Sequence, residues 1–472
     1  MSSRSATWRI ISVIGLTFAV FYFGWPGAAQ ADDDEPLIVH EWGTFTALQD
    51  EHGNALPGIN IDDEPLPAFC HNLSPWAIER PHGMPRVMMK GVPERHPYVT
   101  LRLETPVLYF HPPKSEKLPF SVDVDVKFHG GWLTEFYPQA EPQAPGLKDN
   151  EFKFGPITPD TLGGLTWHSV QVGGGGRIPE TDRHIWLPPR EVNAALVSVG
   201  PQTSRDSEAE SEKFLFYRGV ANRPVPLRVT RDEPNHWFEI HGQCADVLSA
   251  GQSAKIEKLW MVHIRKDGAV AWRAIDPITV SHDTAATLAT VSEKFPDSGY
   301  SPAHLDSLRD DMHKALTAAG LYDDEATAML ETWKHAYFQS PGLRLFYLVP
   351  RVWTDAVLPL KLSRPAQITR VMMGRLELIS PEQRALLKKL STIALSDPKW
   401  MFTIPQSASS QKFFEGRSDF GDLGVAIPAD YQTYLDLGRF RNALIVAEQK
   451  ARPTQELQSF INVYGLGPYE LE

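Results

Sequence analysis

Phe120-Ser121-Val122-Asp123-Val124-Asp125-Val126-Lys127-Phe128 alternates apolar and polar side chains without a break. A period of two places Phe120, Val122, Val124, Val126 and Phe128 on one face, with Asp123 and Asp125 on the other, and so predicts a half-buried strand. Outward from it, shorter runs of the same kind fall at 98–103, 107–110, 133–137, 165–172, 213–217, 226–230, 236–241 and 258–265. Many of the 39 prolines and 33 glycines punctuate these runs, most densely before Ser301. Short strands with frequent turns favour a sandwich or barrel over a parallel α/β sheet.

Beyond Ser301 the period changes. Leu305, Leu308, Met312 and Leu316 recur at helical spacing, and Gly320 is placed to stop that helix. A second helix is predicted over 324–338, with Met329, Leu330, Trp333 and Tyr337 on one side. Ser380-Pro381-Glu382-Gln383 carries an N-cap serine, a first-turn proline and a capping-box glutamine. Helices are expected at 428–447 and 453–464, and further strands at 343–349 and 368–379. The fold class is therefore α+β. A β-rich, sandwich- or barrel-like region at 32–295 is followed by a mixed helical and strand region at 296–472.

The first thirty-one residues read as an export signal. Arg4 and Arg9 precede the uncharged run Ile10 to Trp25, and Ala29-Gln30-Ala31 supplies a small-x-small cleavage site. The run is shorter than the roughly 20 residues a spanning helix needs, although an uncleaved anchor is the other reading. No later segment is long and apolar enough to cross a membrane as a helix. Cleavage after Ala31 would make the protein periplasmic or secreted. An oxidising compartment would favour a disulfide between the only two cysteines, Cys70 and Cys244, the alternative being two separate buried thiols. The net charge is −12, and no Lys/Arg cluster exceeds a pair, which argues against a nucleic-acid partner.

Val39-His40-Glu41-Trp42-Gly43-Thr44-Phe45-Thr46 is the most unusual string after that signal, and Leu66-Pro67-Ala68-Phe69-Cys70-His71 follows it. Together they resemble a family of uncharacterised exported bacterial proteins that carry a His-Glu-Trp-Gly-Thr-Phe-Thr stretch soon after the signal peptide. Leu103 to Phe110, Phe214 to Gly219 and Phe346 to Asp355 extend the resemblance over most of the chain. It implies no established activity and no site to carry over.

Chemically, His40 and Glu41 are the candidates for catalysis. On a regular strand they point to opposite faces, while His40, Trp42 and Thr44 share one. The string is not His-Glu-x-x-His, because Thr44 stands where the second histidine would be. A divalent metal would need other ligands, and His129 and His168, from the β-rich region, join His40 as candidates. Asp123 and Asp125 sit at a spacing that suits paired carboxylates, or simply a solvent face. Two functional classes follow: an exported metal-assisted hydrolase, or a non-catalytic envelope or extracellular protein that binds a polymer or protein partner through its Trp and Tyr residues.

Overall fold

Ile38–Gln49, the strand that contains the unusual string, is buried along all but its first residue. Both of its faces are covered, which is why it lacks the alternation of a half-exposed strand. The computed structural model describes residues 35–61, 64–73, 88–89, 92–93, 95–144, 157–201, 208–283, 286–403 and 426–468. The expected signal segment at 1–31 lies outside them.

The main sheet has fifteen strands. Its principal ones are β1 (Ile38–Gln49), β2 (Leu101–His111), β3 (Phe120–His129), β4 (Gly131–Tyr137), β5 (Leu162–Val172) and β6 (Val197–Val199). They continue with β7 (Glu210–Glu212), β8 (Leu215–Ala221), β9 (Leu259–Ile264), β10 (Val270–Ile275), β11 (Gly342–Leu348) and β12 (Gln367–Leu378). Across the sheet the order is β7-β6-β5-β4-β8-β2-β1-β12-β11-β9-β10, with β3 paired to β5. β1 runs parallel to β12, from Ile38 opposite Gln367 to Gln49 opposite Leu378. Two strands from beyond the expected boundary at 295/296, β12 and β11, thus lie between β1 and β9 in one sheet. Residues 36–472 form one unit.

β1 pairs antiparallel with β2 through a bulge opposite Trp42 and Thr44. Thr105, at φ 43°, holds the extra residue just before Pro106. The runs expected separately near 98–103 and 107–110 are therefore one strand. The bulge reverses side-chain parity, so that Leu101 and Leu103 share a face with Leu108 and Phe110.

That face also carries Val39, Phe45 and Ala47 of β1. It is covered by apolar residues of β3 and of a three-stranded sheet at 227–232, 237–242 and 287–292. The fold is α+β, sandwich-like on this side. The opposite face is covered by helices. α1 (Leu187–Glu191), α2 (His304–Ala318) and α3 (Asp323–Thr332) come first along the chain, followed by a π-helical turn at Lys334–Gln339. α4 (Arg351–Val357) follows β11 but packs on the sandwich side, Trp353 against Phe45, and α5 (Pro381–Leu390), α6 (Ala429–Leu435), α7 (Arg441–Ala451) and α8 (Gln455–Val463) complete the C-terminal part. Trp42 packs with Met329 and Trp333 in one cluster, while Leu48 joins Leu387, Leu444 and Phe460 in another.

The two-sided core corrects the disulfide expectation. Cys244 belongs to the cluster of the sandwich side, whereas Cys70 packs against the cluster around Trp42 and Trp186 on the helical side. Both are free thiols. The sheet between them prevents pairing. Burial pushes both thiols up, that of Cys244 to about 12, so neither is a thiolate at neutral pH.

Candidate metal centre

β1 buries five polar side chains, His40, Glu41, Thr44, Thr46 and Gln49, and each needs a partner. Along the helical face of β1, Thr44 shares a hydrogen bond with Tyr337, and Thr46 donates to Glu104 at 2.7 Å. His40, the first side chain in that row, reaches Glu325 in the first turn of α3, with Nδ1 2.6 Å from Oε2. His111, at the end of β2, places Nε2 3.0 Å from Oε1 of the same carboxylate. A nitrogen of each histidine and an oxygen of Glu325 lie within 4.8 Å of one another. One glutamate thus gathers two histidines.

Each member has a local reason for its place. His40 stands opposite Tyr109 in the β1–β2 register, two residues short of His111 on the same face of β2. Glu325 is the third residue of α3, and its Oε2 also accepts the backbone N–H of Tyr322 at 2.8 Å, one arm of a capping box. Asp323 and Asp324 precede it in the same turn, where the helix dipole favours negative charge. Burial pushes the Glu325 carboxyl up, but hydrogen bonds from His111 and His40 and the Tyr322 amide hold it below the ordinary glutamate range. It is a carboxylate at neutral pH.

Tyr322 forms the outer wall. Its ring centroid lies 4.6 Å from that of His40 and 4.8 Å from that of His111. The glutamate is fully buried, the histidines are nearly so, and Tyr322 is exposed, so the cluster lies one side chain below the surface. Tetrahedral ligands at roughly 2.0–2.1 Å from an ion stand roughly 3.4 Å apart, so adjustments of about an ångström would seat a metal here.

Glu41 takes no part. Its side chain lies on the sandwich side, where it accepts hydrogen bonds from the Tyr217 hydroxyl and from Arg370 Nε. Arg370 also donates to Asp355 at 2.9 Å. The opposite facing expected for His40 and Glu41 is what the structure has, and Glu41 serves a buried ion pair. His129 and His168 are not brought to His40. His168 pairs with Glu141 on an exposed part of β5, and His129 ends β3, where partial burial and the nearby Arg223 lower its pKa. Asp123 accepts the Ser169 amide and Asp125 pairs with Lys127, so these carboxylates also have structural partners.

The sequence reading missed His111 and Glu325. His111 directly follows a strand run and Glu325 sits three residues into a helix start, but neither lies at a ligand spacing from His40; 285 residues separate His40 from Glu325.

No protein-family model matches this chain, and no curated protein sequence matches it. Among solved structures, one match is the Fcho1 Mu homology domain of Danio rerio with a bound Eps15 peptide. That match has 8% identity and a TM-score of 0.24, and covers 73% of this chain and 94% of that one. A likeness of this size carries no argument about fold or function. No helix among the described residues is long and apolar enough to cross a membrane.

Proposed function

We propose that the protein is an exported metal-dependent hydrolase whose divalent ion is held by His40 Nδ1, His111 Nε2 and Glu325. The convergence of these three residues is the observation that carries the reading. Two histidines and one glutamate are a donor set of catalytic zinc sites, in which three protein ligands leave a position for water. An ion held by these residues would supply a Lewis acid and would lower the pKa of a coordinated water. The chain's own contribution is a carboxylate kept ionised by its helix start, two imidazoles fixed by strand register, and a tyrosine that limits access of bulk water. Export rests on Arg4, Arg9, the apolar run to Trp25 and the Ala29-Gln30-Ala31 site.

The test is hydrolysis of chromogenic carboxylic and phosphoric esters by purified protein, before chelation, after it, and after Zn²⁺ is restored. Turnover lost with the metal and regained with it supports the proposal. Metal-loaded protein inert to the whole panel, or turnover indifferent to chelation, would refute the hydrolase reading.

A further inference from the structure

A cavity of about 580 Å³ opens at the end of β9, away from the metal centre. Its volume is in the range of small-molecule sites. It is walled by Arg183 and His184, by His263 to Lys266, by the π-helical turn with His335, by the start of α5, and by the loop from Leu435 to Arg439.

Its charge runs against that of the chain. The protein carries −12 overall. Around this cavity, however, the cations Arg183, Arg265, Lys266 and Arg439 outnumber the carboxylates Glu64, Glu382 and Asp436 by one, with Arg265 also paired to Asp297 and Arg439 to Glu104. Behind the wall at Gly342, Arg344 and Arg375 share the single carboxylate of Glu377. Arg375 is 1% exposed, and neither of its terminal nitrogens has a hydrogen-bond partner among the described residues. Burial lowers the pKa of Arg344 to about 9; Glu377 opposes this, while Arg375 and Arg439 add to it. Positive charge is crowded on this side of the cavity. A cation without a partner on the wall of a low-dielectric cleft attracts ligands of the opposite charge.

Two histidines complete the lining. His184 and His335 meet edge to face with ring centroids 4.3 Å apart. Partial burial, His335 and Arg183 lower the His184 pKa to about 4, so its imidazole is neutral at pH 7. His335 is held by Gln339 across the π-helical turn, a feature that recurs at functional sites. The Arg183 guanidinium makes no hydrogen bond or ion pair among the described residues, and is available to a ligand. Among the described residues Lys266 is paired only with Asp436, at 2.9 Å, and it is more than half exposed.

We propose that this cavity binds a small organic anion through its carboxylate or phosphate oxygens, with Arg183 as the principal ligand-facing cation and Lys266 as a second. The proposal is independent of the metal centre. Isothermal titration calorimetry of the purified chain, without added metal ion, with inorganic phosphate, with citrate and with neutral sucrose tests it. Expected are saturable binding of at least one anion, none of sucrose, and affinity reduced at least tenfold in Arg183→Gln and in Lys266→Gln. Both variants should keep the wild-type circular dichroism, because these side chains are partly exposed; the second variant decides if the first misfolds. Phosphate binding without citrate would assign phosphate chemistry, and the reverse would assign carboxylates. No saturable heat with either anion, or wild-type affinity in the folded variants, would overturn it.

Discussion

His40 and Glu41 adjoin in the chain and part company in the fold, because strand pleating sends them to opposite sides of a sheet covered on both faces. Their variants should separate accordingly. Glu41→Gln leaves Arg370 buried without its closest carboxylate, a loss that typically costs about 3–5 kcal/mol, and should lower the denaturant midpoint while metal content is kept. His40→Ala should lose metal with a smaller effect on the midpoint. Equal effects of the two on stability and metal would contradict the division. A second prediction at this scale concerns pH. The folded-state pKa of His184 lies below the ordinary histidine value, at about 4, so the unfolded chain binds its proton more readily between about 6.5 and 4. Stability should fall through that window as pH falls, and His184→Gln should flatten part of the slope in denaturant titrations. An unchanged slope would refute the assignment. Strand pleating alone made it legible that His40 shares a face with Trp42 and Thr44 and not with Glu41. Its partners were not legible, because Glu325 is brought to it by tertiary packing across 285 residues of chain.

At the scale of elements, local chemistry was a good guide wherever period and caps agreed. The strand expected over 120–128 is β3, and Ser380 caps α5 as its sequence implies, its hydroxyl accepting the Gln383 amide at 3.2 Å. The misses have local causes. The helix expected over 324–338 leaves α-geometry at Trp333 and continues as a π-turn, and the one expected over 428–447 is broken near Gly438, at φ 85°. Backbone hydrogen-bond shifts of this kind leave no trace in apolar periodicity. Gly374 of β12 gives the sharpest test here. A Cβ at that position would lie 2.2 Å from the Tyr347 ring carbon Cζ across the strand pair, within the fully buried β11–β12 contact. Gly374→Ala should destabilise by about 1–3 kcal/mol, as overpacking does, read as a lower denaturant midpoint. The double variant with Tyr347→Leu should recover part of the loss. A neutral Gly374→Ala would contradict the packing of that pair.

Over the whole molecule, the composition shift near Ser301 marks where helices become frequent, and the sheet runs straight through it. Parallel pairing of β1 with β12 closes the chain on itself, a long-range contact that no local pattern encodes. The same sheet keeps the two thiols apart, so unfolded, unreduced protein should titrate with two free thiols per chain; a value near zero would contradict the placement of Cys70 and Cys244 on opposite faces. The central claim is that two strands and a helix start converge to build one metal centre. Its most direct test is metal content after dialysis against Zn²⁺ and removal of loosely held ion. Wild-type protein should retain one equivalent per chain, and His111→Ala and Glu325→Gln should retain almost none while keeping the wild-type circular dichroism. A wild-type chain that retains no metal, or folded variants that retain as much as wild type, would contradict it.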